Sequence, residues 1–262
     1  MIAPFGRILR PPFGPRLAVA GDITDPTDIA GIKLWIDFSD VATLFTDAGS
    51  TPVANDDDKI YQANDKSGNA HHFTQTIEAD RPLYKTGIQN TLSASRFDGA
   101  NSWLSASRLY SDDDFSIFCV TIRNVAQKAA ILAQHPGALT VGRTEFMTSE
   151  DNSPWTHHRL FFNNGSSYSV VSTTAGLDGT AHLLYSESNG AGSSHCRVDG
   201  GAAEGTLNGQ TWTPYNTPFT IGSIADGRNT YSGDVLEIVC YSHLSDANRI
   251  LFENYINTKW AL

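Results

Sequence analysis

Residues 231–260 read YSGDVLEIVCYSHLSDANRILFENYINTKW, and the change of period inside this stretch decides the fold. Residues 235–241 are a continuous apolar run with Glu237 as its one charge, the pattern of a strand covered on both faces. From Ser245 the repeat lengthens. Ser245 suits an N-cap, Asp246 suits the positive end of a helix, and Ala247, Ile250, Leu251, Tyr255 and Ile256 recur at three- and four-residue spacing. A buried strand with one acid is therefore followed by one amphipathic helix.

Working outward, no other segment has a helical period. Residues 32–38 (IKLWIDF) alternate, with Ile32, Leu34, Ile36 and Phe38 on one face and Lys33, Trp35 and Asp37 on the other. Residues 115–123 (FSIFCVTIR) are apolar on both faces and predict a central strand. Shorter strands are predicted at 81–84, 93–98, 129–133, 138–141, 181–186, 195–198 and 219–223. Asp98-Gly99-Ala100-Asn101 predicts a tight turn with a return strand at 102–105, and Asn163-Asn164-Gly165-Ser166 a hairpin joining 158–162 to 168–172. Many short strands punctuated by Asn-Gly and Asp-Gly turns predict an all-β chain. The expected fold is a two-sheet antiparallel jelly-roll sandwich with one C-terminal α-helix and an extended N-terminal arm.

The 262 residues, 40% of them hydrophobic, suffice for one large core, placed at 29–262 with the arm at 1–28. A net charge of -10 argues against nucleic acid and anionic membranes as partners. No apolar run approaches the ~18 residues of a membrane-spanning helix. Residues 1–21 contain Arg7, Arg10 and Arg16, no acid, and four prolines, a composition that excludes a signal peptide's unbroken apolar stretch. The prolines impose an extended chain, and Phe5, Arg7, Arg10, Phe13 and Arg16 are the residues expected to anchor it, in a partner's groove or along its own domain. Cys119, Cys196 and Cys240 are odd in number and lack metal-ligand spacing, so reduced thiols and folding in a cytoplasm are expected.

The order of several short motifs adds to this. Leu34-Trp35-Ile36-Asp37 is followed by Asp65-Lys66-Ser67-Gly68-Asn69, Arg81-Pro82, Phe97-Asp98-Gly99, a late Gly233-x-x-x-Glu237 strand, and a helix ending in Tyr255 and Lys259-Trp260. Over residues 29–262 this series resembles the concanavalin A-like (laminin-G-like) jelly-roll modules of bacteriophage virion proteins. The resemblance implies two packed sheets and a non-enzymatic structural role in a tail or fibre. The implied location is the virion, assembled in host cytoplasm, with other virion proteins and copies of itself as partners and with host surface polysaccharide contacted. A capsid decoration or head fibre protein is the alternative, and a glycan-degrading hydrolase is a further one.

The chemical motifs favour binding over catalysis. Hydrolases of this fold class place two acids on one strand face, whereas the three-residue spacing of Asp234 and Glu237 predicts opposite faces. Glu237 is then a buried acid in need of a partner, for which Arg96 and Lys33 are the candidates. His71-His72 and His157-His158 each offer one ligand at most and are expected at surfaces or edges. No cofactor is expected. The acid runs 56–58 and 112–114 are the one candidate for calcium, but they lack the alternation of a calcium loop. The candidate glycan contacts are loop aromatics among polar residues: Trp155, Trp212 and Tyr215. Trp35 and Trp103 are expected in the core.

Overall fold

The computed structural model describes residues 22–110, 114–135, 143–149, 157–163, 168–177, 179–189, 193–204, 216–224 and 227–262. In chain order the first strands are β1 (Ile32–Asp37), β2 (Leu44–Phe45), β3 (Gln62–Ala63), β4 (Phe73–Thr74), β5 (Leu83–Gln89), β6 (Leu92–Asp98), β7 (Leu104–Ala106) and β8 (Asp114–Arg123). They are followed by β9 (Ala129–Gln134), β10 (Arg143–Ser149), β11 (His157–Asn163), β12 (Tyr168–Gly176), β13 (Ala181–Asn189), β14 (Ser194–Val198), β15 (Phe219–Ile221) and β16 (Ser232–Tyr241). One helix, α1 (Asp246–Trp260), closes the chain.

The strands form two antiparallel sheets. The first runs β14-β13-β8-β16-β6-β5, with β1 also paired to β16; the second runs β12-β11-β10-β9-β15-β7-β4-β3-β2. One edge of β16 is shared: Ser232 to Val235 pair with β6, and Glu237 to Tyr241 pair with β1. The other edge of β16 lies along β8. The first and last strands are thus neighbours, and β8 is central, as the sequence predicts.

The alternation of β1 explains the layering. Leu34, Ile36 and Phe38 enter the core between the sheets with Phe115, Ile117, Cys119, Ile238 and Cys240. Trp35 faces outward and packs with Phe118, Val239, Tyr241 and the helix residues Phe252, Ile256 and Trp260. Burying one stripe of α1 on the outer face gives the first sheet apolar cover on both sides, which is why β8 and β16 carry apolar residues on both faces. The buried stripe of α1 is Phe252, Ile256 and Trp260, with Leu251 and Tyr255 at its flank, while Ala247 is exposed. The helix is therefore rotated from the face its periodicity predicted.

Three local predictions need correction. The turn at 98–101 forms, with Asp98 Oδ1 accepting from the amides of Ala100, Asn101 and Ser102, but β6 and β7 belong to different sheets. The turn therefore carries the chain across the sandwich instead of closing a hairpin. Trp103 lies just before β7 and is half-buried, outside the core. His158 is fully buried, not at an edge; its Nε2 lies 2.8 Å from Ser186 Oγ and 3.2 Å from Tyr185 O. Burial lowers that imidazole from 6.5 to about 4. The β11–β12 hairpin is present, with Asn163 opposite Tyr168, and β10 is a strand the sequence did not announce. The predicted strand at 138–141 lies outside the described residues.

Candidate functional site

Two polar clusters occupy the outer face of the first sheet, one under α1 and one beside its start. The first is built by a bulge. Opposite β8 the register of β16 shifts between Val235 and Glu237. Val235, Ile238 and Cys240 face the inter-sheet core, whereas Leu236 and Val239 pack on the helix side. Leu236 and Glu237 therefore share the outer face, and so does Asp234, which pairs across strands with Arg96. The spacing argument for opposite faces fails because a bulge adds one residue to the period.

Sharing a face does not make the two acids a catalytic pair. Asp234 is gripped at both oxygens by Arg96, through Nε at 2.7 Å and Nη2 at 2.8 Å. The Glu237 side chain is 0% exposed. Its Oε1 accepts from Trp35 Nε1 at 2.8 Å and Tyr255 OH at 3.4 Å, and its Oε2 from Trp260 Nε1 at 2.7 Å and Lys259 Nζ at 2.8 Å. The partners of Glu237 are thus helix and β1 residues. Of the two candidates the sequence offered, Arg96 is spent on Asp234 and Lys33 is exposed.

Lys259 also reaches Asp37 Oδ2 at 2.8 Å, and Lys66 joins Asp37 at 3.2 Å to Asp40 at 2.7 Å. Burial, and next the charge of Asp37, push the Glu237 carboxyl upward against the pull of Lys259. Burial works the same way on Asp37, but Lys259, Ser39 and Lys66 outweigh it and hold Asp37 below its ordinary value. Around this core Asp65 Oδ1 accepts from the Trp35 amide at 3.0 Å, and Asn69 Nδ2 donates to the carbonyls of Ile32 and Lys33. The motifs that carry the resemblance, LWID, DKSGN, the late Glu237 and the terminal Lys259-Trp260, therefore converge on one sealed network.

The second cluster is open. A cleft of 290 Å³ lies between the β13–β14 end of the sheet and the start of α1, lined by Glu187, Asn189, His195, Arg197, His243 and Asp246 among others. Alternation on β14 sends Cys196 and Val198 into the core and leaves His195 and Arg197 outward. Glu187 is cross-strand partner to His195. A hydrogen-bond chain fixes the two walls: the Leu244 amide donates to Ser116 Oγ at 3.0 Å, Ser116 Oγ lies 3.1 Å from Tyr185 OH, and that hydroxyl donates to Glu187 Oε2 at 2.7 Å. Because Tyr185 gives its one proton to Glu187, Ser116 is the donor in the middle link. His243 Nδ1 lies 3.7 Å from Glu187 Oε2, and Ser193 Oγ lies 3.0 Å from His195 Nε2.

None of these cleft residues stood out in the sequence. The signal that could have found them is the alternation in Ser-His-Cys-Arg-Val, which marks His195 and Arg197 as a polar outer face. Trp155, Trp212 and Tyr215, and the arm residues Phe5, Arg7, Arg10, Phe13 and Arg16, lie outside the described residues. Asp56 and Asp57 are bound by Lys85, and Asp58 accepts the amides of Ala54 and Asn55. Among the described residues no group of three or more His, Cys, Asp or Glu is arranged to hold a metal. All three cysteines are buried thiols outside any disulfide, with burial pushing the Cys196 thiol up to about 12. Among the described residues no helix is long and apolar enough to cross a membrane.

No protein-family model and no curated protein matches the chain. Solved structures do resemble it. Domain 4 of AbnA, an extracellular GH43 arabinanase from Geobacillus stearothermophilus in complex with arabinotriose, matches with a TM-score of 0.63 and 12% identity over 85% of this chain and 98% of that domain. The binding domain of Paraclostridial Mosquitocidal Protein 1 matches at 0.60 and 12% over 88% of this chain and 53% of that one. A Trypanosoma rangeli sialidase matches at 0.53 and 15% over 88% of this chain and 33% of the enzyme. The chain thus spans about half of the toxin domain and a third of the sialidase. At these identities the likeness is one of fold, and it places the chain among two-sheet β-sandwiches.

Proposed function

We propose that this chain is a non-catalytic carbohydrate-binding β-sandwich, displayed on a bacteriophage particle, where it contacts host surface glycans. The observation that carries the binding reading is the match to the arabinanase domain solved with arabinotriose, which spans nearly the whole of that domain. Receptor-binding domains of neurotoxins match as well, over about half their length. The non-catalytic reading is supported by the state of the strand acids: Asp234 is held by Arg96, and Glu237 is sealed beneath α1. The particle role is supported by the resemblance of the motif series to that of virion jelly rolls and by the basic, proline-rich residues 1–21.

A glycan array probed with the full chain tests the binding reading. Saturable binding to at least one oligosaccharide, without release of reducing sugar, is expected. Silence across an array that includes host polysaccharide overturns it, and reducing-sugar release overturns the non-catalytic part. Trp155→Ala and Trp212→Ala are expected to weaken binding. Removal of residues 1–21 is expected to leave a folded body that no longer enters particles, and normal incorporation overturns the anchoring role.

A further inference from the structure

We propose that the cleft between the β13–β14 end and the start of α1 is a carbohydrate site, and that it takes a neutral glycosyl unit through its hydroxyl groups. This assignment rests on the carbohydrate-binding reading above. At 290 Å³ the cleft falls just below the ~300–1,000 Å³ range of small-molecule sites, enough for a small ring and too small for a folded partner.

The lining selects the ligand class. Glu187 and Asp246 are acceptors, Arg197 is a donor, and Asn189, His195 and His243 serve as either. Two carboxylates in so small a space oppose a phosphate or sulfate. The guanidinium opposes a divalent cation, for which no three-ligand grouping exists among the described residues. Ala203 and Leu244 are its apolar lining residues, so an acyl chain or a bare aromatic ring would find little to replace water. A hydroxyl both donates and accepts, and vicinal hydroxyls complement a wall where carboxylates alternate with a guanidinium and imidazoles.

The donors are also preset and partly unused. Arg197 Nη1 donates to Gly201 O at 3.0 Å, whereas its Nε is buried without a hydrogen-bond partner. Glu187 gives Oε2 to Tyr185, and no hydrogen bond to its Oε1 is present among the described residues. The Leu244–Ser116–Tyr185–Glu187 chain ties the strand wall to the residue just ahead of the helix cap, so the walls are fixed before a ligand arrives. Rigid walls of this kind reduce the ordering cost of binding.

The test is calorimetric titration of the full chain with arabinotriose and with galactose- and glucose-terminated oligosaccharides, against sialyllactose as the acidic counterpart. Ala203 is exposed, so a substitution there leaves the fold intact; Asn189 is exposed too, and its Oδ1 accepts the Ser193 amide at 3.2 Å in the turn after β13. Ala203→Trp, which fills the cleft, is expected to weaken binding by at least about tenfold, and Asn189→Ala by roughly three- to tenfold, the effect of one lost hydrogen bond. The melting temperature of Ala203→Trp is expected to stay at the wild-type value, and that of Asn189→Ala to fall by no more than the loss of one exposed turn hydrogen bond causes. If the wild type binds and both variants bind equally well, the site assignment is overturned while the carbohydrate reading stands. Tighter binding of sialyllactose than of the neutral sugars overturns the ligand class. A wild type that binds no sugar on the panel overturns the carbohydrate reading and this assignment with it.

Discussion

Glu237 and Glu187 are two acids on the same outer face of the same sheet, and α1 treats them oppositely. Over Glu237 the last two turns of the helix lay down Trp260, Lys259 and Tyr255, and with Trp35 of β1 the carboxylate ends with four donors and no exposure. Beside Glu187 the helix has only begun, so one carboxylate oxygen is held by Tyr185 and the group lines an open cleft. An acid with every lone pair answered from within its own chain is a structural element. An acid with capacity left over, on fixed walls, can answer something else. Burial alone does not separate them, since the Glu187 residue is only 8% exposed.

The largest expected effect follows from breaking the sealed member. Glu237→Ala leaves Lys259 Nζ and the indole N–H groups of Trp35 and Trp260 without their shared acceptor, and removing one partner of a buried ion pair costs about 3–5 kcal/mol. For a chain of this size that lowers the melting temperature by roughly 10 °C. Urea unfolding measures it. A loss below about 1 kcal/mol would mean that the network is not what clasps the helix to the sheet. Oligosaccharide affinity, measured well below the melting point, is expected to be unchanged.

His158 sharpens the comparison from a third position, sealed like Glu237 but neutral. Its unfolded side chain titrates near 6.5 and its folded one at about 4. Between these values the unfolded chain binds a proton that the folded chain does not. The contribution of His158 is therefore fully present above pH 6.5 and is lost as pH falls toward 4, by about 3 kcal/mol. Subtracting the pH profile of His158→Gln from that of the wild type is expected to isolate this fall, and parallel profiles would refute it.

Much of the sealed cluster was legible in the sequence. Trp35, Asp37, Asp65, Lys66, Glu237, Lys259 and Trp260 all lie in the motifs that carry the virion resemblance, and the pairing of β1 with β16 brings them together. What failed did so for identifiable reasons. Strict period two mis-faced Asp234 and Glu237 because a bulge adds a residue to β16. The helix stripe was rotated because Arg249 and Glu253, polar in sequence, are buried as a 2.6 Å ion pair beside Phe252 and Ile256. The turn at Asp98 is a local signal, and nothing local states whether the next strand rejoins the same sheet. The cleft was illegible for a related reason. Glu187, Arg197 and His243 are brought together by the pairing of β13 with β14 and by the point where α1 begins, and neither is encoded within reach of any one of them.

An intermediate effect tests the seal from outside. Asn69 donates to both Ile32 O and Lys33 O and so covers part of the free edge of β1. Being exposed, it can be replaced by water, and Asn69→Ala is expected to cost only about 1 kcal/mol in urea unfolding. A cost equal to that of Glu237→Ala would place the clasp in the loop and not under the helix.

The smallest expected stability effect belongs to the open member, and it is the most diagnostic. His243 is exposed, with its Nδ1 3.7 Å from Glu187, a separation beyond hydrogen-bonding range. If the cleft exists for the fold, His243→Ala should behave like a broken network and unfold at visibly lower urea. If it exists for a ligand, the substitution should shift stability by no more than about 0.5 kcal/mol, as exposed positions do, while reducing oligosaccharide affinity. The two measurements on one variant therefore separate the roles. Glu237→Ala is expected to lose stability and keep binding, His243→Ala to keep stability and lose binding, and a variant that loses both would show that the two acids belong to one site after all.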